Sequence, residues 1–359
     1  MTGDGVWYCS EGGKGLDKMK FGIFEHMDDS GIPVGLHFKN RLSLIEAYDR
    51  YGFYAYHLAE HHGTPLGFAP SPGLFLAAVA QRTKRLRFGP LVYSLPLYHP
   101  IRLIEEICML DQMSGGRFEL GVGRGVSPIE VGFYGVNPAD GPRQFPEALK
   151  VIKQGLTVDE LTFSGEFYKY NKVPMVLKPV QRPYPPLWYG VLTPDAAYWA
   201  ALESAHIVTL LPPDPARAIF ERYRLEWRNF GRSDDELPLM GISRHIVLAD
   251  SDAEAIMIAE RAYRVWLKHM EVLWNRNGMK LPLGLPPDIG PLLQARSAFA
   301  GTVAGFENFL KDQITATGAT YVVCDVAFGD LTPEESMRTT RLLAEKVMPH
   351  FPDKTSNAG

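Results

Sequence analysis

The sequence predicts an α/β protein: a single (β/α)8 TIM barrel with an inserted β-hairpin and a second insertion before its last helices. Three observations carry this. Short apolar strand-like segments alternate with amphipathic helical ones, eight times over. Such alternation gives a parallel sheet covered by helices. The 359 residues suit one barrel of about 250 residues plus insertions, and no linker separates two cores.

The elements follow in chain order. Residues 1–18 are polar and Gly-rich and read as a flexible extension. Residues 19–25 are strand-like, and 39–51 form a helix that stops at Gly52, the usual kind of helix end. A strand over 53–60 leads into a His/Gly/Pro loop, then a helix over 73–84. The third strand is 86–93, its helix 101–112, and the fourth strand 117–123. Residues 142–158 are helical, with Pro146 confined to the first turns. Residues 161–177, β-rich and aromatic around a Ser-Gly turn, read as a hairpin inserted outside the repeat. Strands over 186–191, 206–211 and 238–248 precede helices over 194–204, 215–230 and 251–274. Residues 276–300, rich in Pro, Gly and Leu, form the second insertion. A helix over 303–317, a strand over 321–328 and a helix over 333–348 close the barrel domain at 351, and 352–359 are a tail.

Composition narrows the function. Apolar residues are 46 %, enough for a large core, and the net charge of −4 gives no basic footprint for nucleic acid. Cys9, Cys108 and Cys324 are far apart, which argues against a disulfide framework or zinc site and for a reducing cytoplasm. No apolar run reaches the roughly 18 residues of a membrane span, and the N-terminus lacks the order of a signal peptide.

In such a barrel, chemistry sits where strands end and the following loops begin. Glu60-His61-His62 ends the second strand. Neighbouring side chains point to opposite faces, so the two histidines do not share a metal, and one faces the barrel mouth. Gly121-Val122-Gly123-Arg124-Gly125 ends the fourth strand but lacks the third glycine of a dinucleotide loop, and Ser127-Pro128 replaces a smooth helix start. It offers close backbone approach and an arginine able to grip phosphate. Val191-Leu192-Thr193-Pro194-Asp195 places Thr193 as an N-cap before Pro194, leaving free N–H groups for an anion, as an ordinary cap also would. Residues 86–96 supply an apolar wall for a flat ligand, or simply a buried strand.

These segments resemble the bacterial luciferase-like flavin-dependent monooxygenase family. The likeness spans about Lys20 to Phe351 and rests on AEHHG (59–63), the ungapped block 70–125, GFYG (132–135), LKPVQRPYPPLW (177–188) and LLAEKVMPHF (342–351). It implies a barrel binding FMN, reduced and delivered by a separate NAD(P)H-flavin reductase. With O2, reduced FMN would oxygenate a small apolar organic substrate through a flavin C4a-peroxide. The resemblance makes His61 the catalytic group and Glu60 its neighbour at the flavin. It assigns Arg124 to the phosphate with Val126 close behind, and Thr193, after Val191 and Leu192, to the phosphate turn. It joins Leu91 and Val92 by a non-proline cis peptide against the flavin ring. Tyr93 and Trp188 are expected in the substrate pocket, and a homodimer is expected. Gly123 stands where luciferases proper carry a cysteine, so light emission is not implied. Val-Leu-Thr replaces the family's common Gly-Gly-Ser or Glu-Ser turn, and Ala300-Gly301-Thr302-Val303 its Val-Gly-Thr-Pro. The rivals are a hydride-transfer enzyme using the deazaflavin F420 on the same fold, and a flavin-binding protein without turnover.

Overall fold

The computed structural model describes residues 19–351; the extension expected at 1–18 and the tail at 352–359 lie outside the described residues. The strands are β1 (Lys20–Glu25), β2 (Ala55–Leu58), β3 (Arg87–Pro90), β4 (Tyr93–Ser94), β5 (Leu120–Gly123), β6 (Glu160–Ser164), β7 (Lys169–Pro174), β8 (Leu187–Gly190), β9 (His206–Thr209), β10 (Met240–Leu248), β11 (Ala298–Gly301) and β12 (Tyr321–Asp325). Between them run helices α1 (Val34–Tyr51), α2 (Pro72–Arg82), α3 (Pro100–Ser114), α4 (Pro128–Phe133), α5 (Gly141–Thr157), α6 (Pro194–Leu202), α7 (Pro213–Asn229), α8 (Asp252–Arg276), α9 (Gly290–Gln294), α10 (Val303–Thr317) and α11 (Pro333–Leu342).

The main sheet runs β3-β2-β1-β12-β10-β9-β8-β5-β4. Its paired strands are parallel. A bridge between Phe88 and Phe118 closes the ring: Phe88 N–H donates to Arg117 O at 3.1 Å and Glu119 N–H to Phe88 O at 2.8 Å. No helix among the described residues is long and apolar enough to cross a membrane.

Strand alternation sorts side chains into two layers. On β12, Val322 and Cys324 join the large core between sheet and helices, while Tyr321 and Val323 pack inside the barrel with Trp188 and Val208. Gly22 makes that interior possible: a Cβ there would lie 1.6 Å from the Tyr321 hydroxyl. Tyr321 Oη is in turn 2.9 Å from His57 Nε2. The bottom of the barrel is thus filled with rings and leaves the upper rim for chemistry.

Several expectations change. The third strand is two short pieces, β3 and β4, with the cis Leu91–Val92 bond between them. Residues 160–174 do form an antiparallel hairpin. Residues 276–300 are not wholly irregular: they hold α9 and most of β11, which pairs with β10. β11 hid because Ala298–Gly301 is short and bordered by polar residues. The last helix leaves α geometry at Leu342 and continues as a π turn to Val347.

Candidate active site

Beyond β2 the chain stays extended enough to alternate, and Glu60 and His61 turn opposite ways. The buried Glu60 carboxylate accepts from Ser94 N–H (2.8 Å) and Tyr98 Oη–H (2.9 Å) and lies 2.8 Å from His62 Nε2. His62 Nδ1 is 2.7 Å from Tyr134 Oη. Glu60 therefore fastens the β2 loop to the strand carrying Leu91 and Val92, its oxygens already occupied by protein donors.

His61 Nδ1 is 3.2 Å from Glu130 Oε1, and the other oxygen of Glu130 accepts His62 N–H at 2.7 Å. One carboxylate so fixes both the ring and the backbone beside it. Glu130 belongs to α4, a helix the sequence reading did not anticipate. Ser127 starts it by capping: its hydroxyl accepts Glu130 N–H at 3.2 Å, and Pro128 takes the first helical position. The Ser-Pro pair that argued against a helix start is itself one.

The other side of His61 meets a second set of rings. His26, just past β1, stacks on His61 with centroids 5.5 Å apart. Trp266 on α8 donates its indole N–H to His26 Nδ1 at 3.3 Å. His245 on β10 packs on Trp266 (4.7 Å) and Phe328 (4.4 Å), with Nδ1 2.9 Å from Asp325 Oδ2. Burial, with His61 and His245 alongside, pushes the His26 imidazole well below its ordinary range, so it is neutral.

The proposed anchors lie at the rim. Arg124, directly after β5, is exposed, and no hydrogen bond or ion pair ties it to another described residue. Its stem crosses Gly141 at the start of α5, where a Cβ would come within 3.1 Å of Arg124 Cγ. Its charge opposes the burial that raises the Tyr189 phenol. Thr193 caps α6, its hydroxyl accepting Ala196 N–H at 3.3 Å, and Pro194 is the first helical residue. Val126 is 69 % and Leu192 40 % exposed.

Three expected contacts fail on orientation. Tyr93 is fully buried and donates to Glu106 on α3 at 2.7 Å, so it faces the helices rather than the mouth. Trp188 is fully buried near the start of β8, beside Tyr321 and His206, and donates to Glu119 at 2.5 Å. It plugs the bottom of the barrel. The Val191 side chain lies in the outer core, which leaves only its backbone near the rim. Conversely, Glu130, His26, His245 and Asp325 were not among the residues the sequence brought forward. His26 ends the first strand, so the rule that drew attention to His61 would have found it.

These residues fit a phosphate-bearing flavin by donor chemistry. Arg124 and the N-terminal N–H groups of α6 suit a phosphate. Gly190, at the end of β8, leaves open space where a Cβ would stand. Val92 and Leu91 offer an apolar strand edge, with Gly123 bare because a Cβ there would meet Val92 Cγ2 at 2.4 Å. No group of three or more His, Cys, Asp or Glu among the described residues is arranged to hold a metal.

Fold and rim together define a parallel-barrel protein whose strands' carboxyl ends carry a histidine–carboxylate cluster, an exposed arginine and a capped helix start. The family model described as luciferase-like monooxygenase matches residues 19–321, and the chain belongs to that family. It is 40 % identical to an uncharacterized Sinorhizobium fredii protein, y4wF, over 92 % of this chain and 97 % of the relative. It is 27 % identical to the oxygenase component of flavin-dependent trigonelline monooxygenase from Acinetobacter baylyi, over 76 % of each. Among solved structures, monooxygenase RslO1 from Streptomyces bottropensis superposes with a TM-score of 0.81 at 26 % identity, over 93 % of this chain and all of that one. The oxygenating constituent of 3,6-diketocamphane monooxygenase from Pseudomonas putida, solved with FMN, shares the fold at 19 % identity: TM-score 0.79, 93 % of this chain and 99 % of that one.

Proposed function

We propose that this protein is the oxygenase component of a two-component monooxygenase. It takes reduced FMN from a separate NAD(P)H-flavin reductase and uses O2 to oxygenate a small organic substrate. Bound reduced FMN would supply the electrons that activate O2. The observation that carries the reading is the β5 loop, which presents Arg124, tied to no other described residue, and, a few residues on, the Glu130 that holds His61. The relatives' monooxygenase activities and the FMN-bound structural neighbour support it.

Within that reading each residue has a task. Arg124 and the start of α6 hold the phosphate. Leu91 and Val92 line the ring and keep water from it. Glu130 orients His61 with Nδ1 toward the carboxylate, leaving Nε2 to take or give a proton at the reacting oxygen. Glu60, held by Ser94, Tyr98 and His62, keeps the β2 loop and the Leu91–Val92 strand in fixed relation. The chain would work in the cytoplasm as a homodimer.

Rapid mixing tests this. Protein with reduced FMN, mixed with oxygenated buffer, should show a lasting flavin absorption unlike either oxidised or reduced FMN. His61→Ala should bind FMN normally yet release hydrogen peroxide faster. Immediate return of wild type to oxidised FMN with stoichiometric peroxide would overturn the proposal.

A further inference from the structure

Three imidazoles meet at the barrel mouth: His61 Nδ1 lies 3.2 Å from Glu130, His26 Nδ1 accepts from Trp266, and His245 Nδ1, buried and without a hydrogen bond, has the Asp325 carboxylate 2.9 Å away. Among the described residues no partner takes any of the three Nε2 atoms, and none of the three is a buried orphan. All three Nε2 atoms therefore open onto accessible space.

The partners also fix what each Nε2 offers. Indole N–H only donates, so His26 Nδ1 accepts, and the neutral ring carries its proton on Nε2. A carboxylate beside Nδ1 favours the proton there, by a hydrogen bond at His61 and by its charge alone at His245, so both present lone pairs at Nε2 when neutral. The mouth thus holds two bases and one donor. Phe24 (4.8 Å from His26), Trp266 and Phe328 line the same array with rings.

That chemistry selects a ligand. An aliphatic chain would bury three imidazole nitrogens without partners, which is unfavourable. A bare carbonyl needs donors and meets one. A flat ring bearing a hydroxyl satisfies the aromatic walls, a base and the donor together.

We propose that the mouth binds a hydroxylated aromatic substrate whose hydroxyl gives its proton to His245, with Asp325 as the positioning residue. This rests on the oxygenase reading above. In the step, the substrate O–H bond breaks and its electron pair stays on oxygen. The proton bonds to His245 Nε2, and the imidazolium formed pairs with Asp325. His26 donates its Nε2–H to the phenolate, which is the electron-rich form of the ring that an oxygenase attacks. His61, stacked on His26, stays available for the oxygenation. No electron is exchanged in this step.

The test uses 4-nitrophenol, whose phenolate is yellow, with the full-length flavin-free protein buffered below the phenol's solution pKa. Wild type should bind it and develop the phenolate band. Asp325→Asn should still bind it but with the band reduced at least tenfold, and His245→Gln should do the same. FMN affinity, measured on each variant by flavin fluorescence, reports whether the variant is folded. No binding by wild type, binding only as the neutral phenol, or an undiminished band in variants that hold FMN normally would each overturn the proposal. Should FMN fail to bind wild type while the phenolate band appears, the oxygenase reading falls and the phenol site stands.

Discussion

Acid should unfold this barrel through two histidines in its lower interior, one buried and one half-buried, and the size of the effect follows from their surroundings. His57 and His206 flank Trp188, with ring centroids 4.6 and 4.5 Å away. His206 Nδ1 accepts Leu239 N–H at 2.8 Å, which a protonated ring could not do. Burial pushes both imidazoles down to about 3, with His206 adding to the effect on His57 and Arg87 and Lys20 to that on His206. In the unfolded chain each protonates below about pH 6.5. Between these values the unfolded state binds more protons, so stability, complete above about 6.5, is lost as pH falls. Each histidine removes about 1.4 kcal/mol per pH unit in that window, or about 2 kcal/mol at about pH 5. A typical domain has only about 5–15 kcal/mol in all. Glu25 acts in the opposite sense: burial raises it to about 7, so the native state keeps a proton that the unfolded chain loses above about 4.5. The informative quantity is therefore the difference between proteins. Urea midpoints for wild type, His57→Gln and His206→Gln, taken from about pH 7 to about pH 4, should give shallower acid slopes in the variants, by about 1 kcal/mol per pH unit. Parallel curves would show that neither histidine is held neutral, and the argument would fail.

Two further outcomes test the rim and the strand packing beneath it. Arg124→Ala should weaken FMN tenfold to a hundredfold in a fluorescence titration, since a charge-assisted bond to phosphate contributes about 1.5–3 kcal/mol; unaltered affinity would place the phosphate elsewhere. Gly121→Ala puts a Cβ 1.9 Å from the Pro90 carbonyl oxygen, a backbone atom with little room to move. It should destabilise by about 2–4 kcal/mol in urea, and a neutral result would mean that β3 and β5 approach less closely.

The repeat of strand and helix was legible because each barrel strand carries its own local pattern, and the eight main strands fall where apolar periodicity puts them. Position relative to strand ends was legible too: Arg124 follows its strand end directly, and His61 and Thr193 lie a few residues beyond theirs. Orientation was harder. Trp188 and Tyr93 are aromatic residues on barrel strands, yet one faces the closed bottom and the other the helices. Deciding between these needs the register of neighbouring strands, which is set by contacts far along the chain. Glu130 was missed for a related reason: its importance lies in reaching His61 across 69 positions, a separation no local pattern encodes. Asp325 is likewise one acidic residue at a strand end until β10 brings His245 against it.

Arg124 and Glu130 ride on the same connection between β5 and α5, one at its root and the other on α4 within it. Shortening or lengthening that connection by a residue would displace the anchor and the carboxylate that holds His61, whereas either side chain can be exchanged alone. Descendants of this protein can thus drift in side-chain chemistry along the connection far more freely than in its length. In the laboratory, grafting it whole is the conservative way to move this site between barrels.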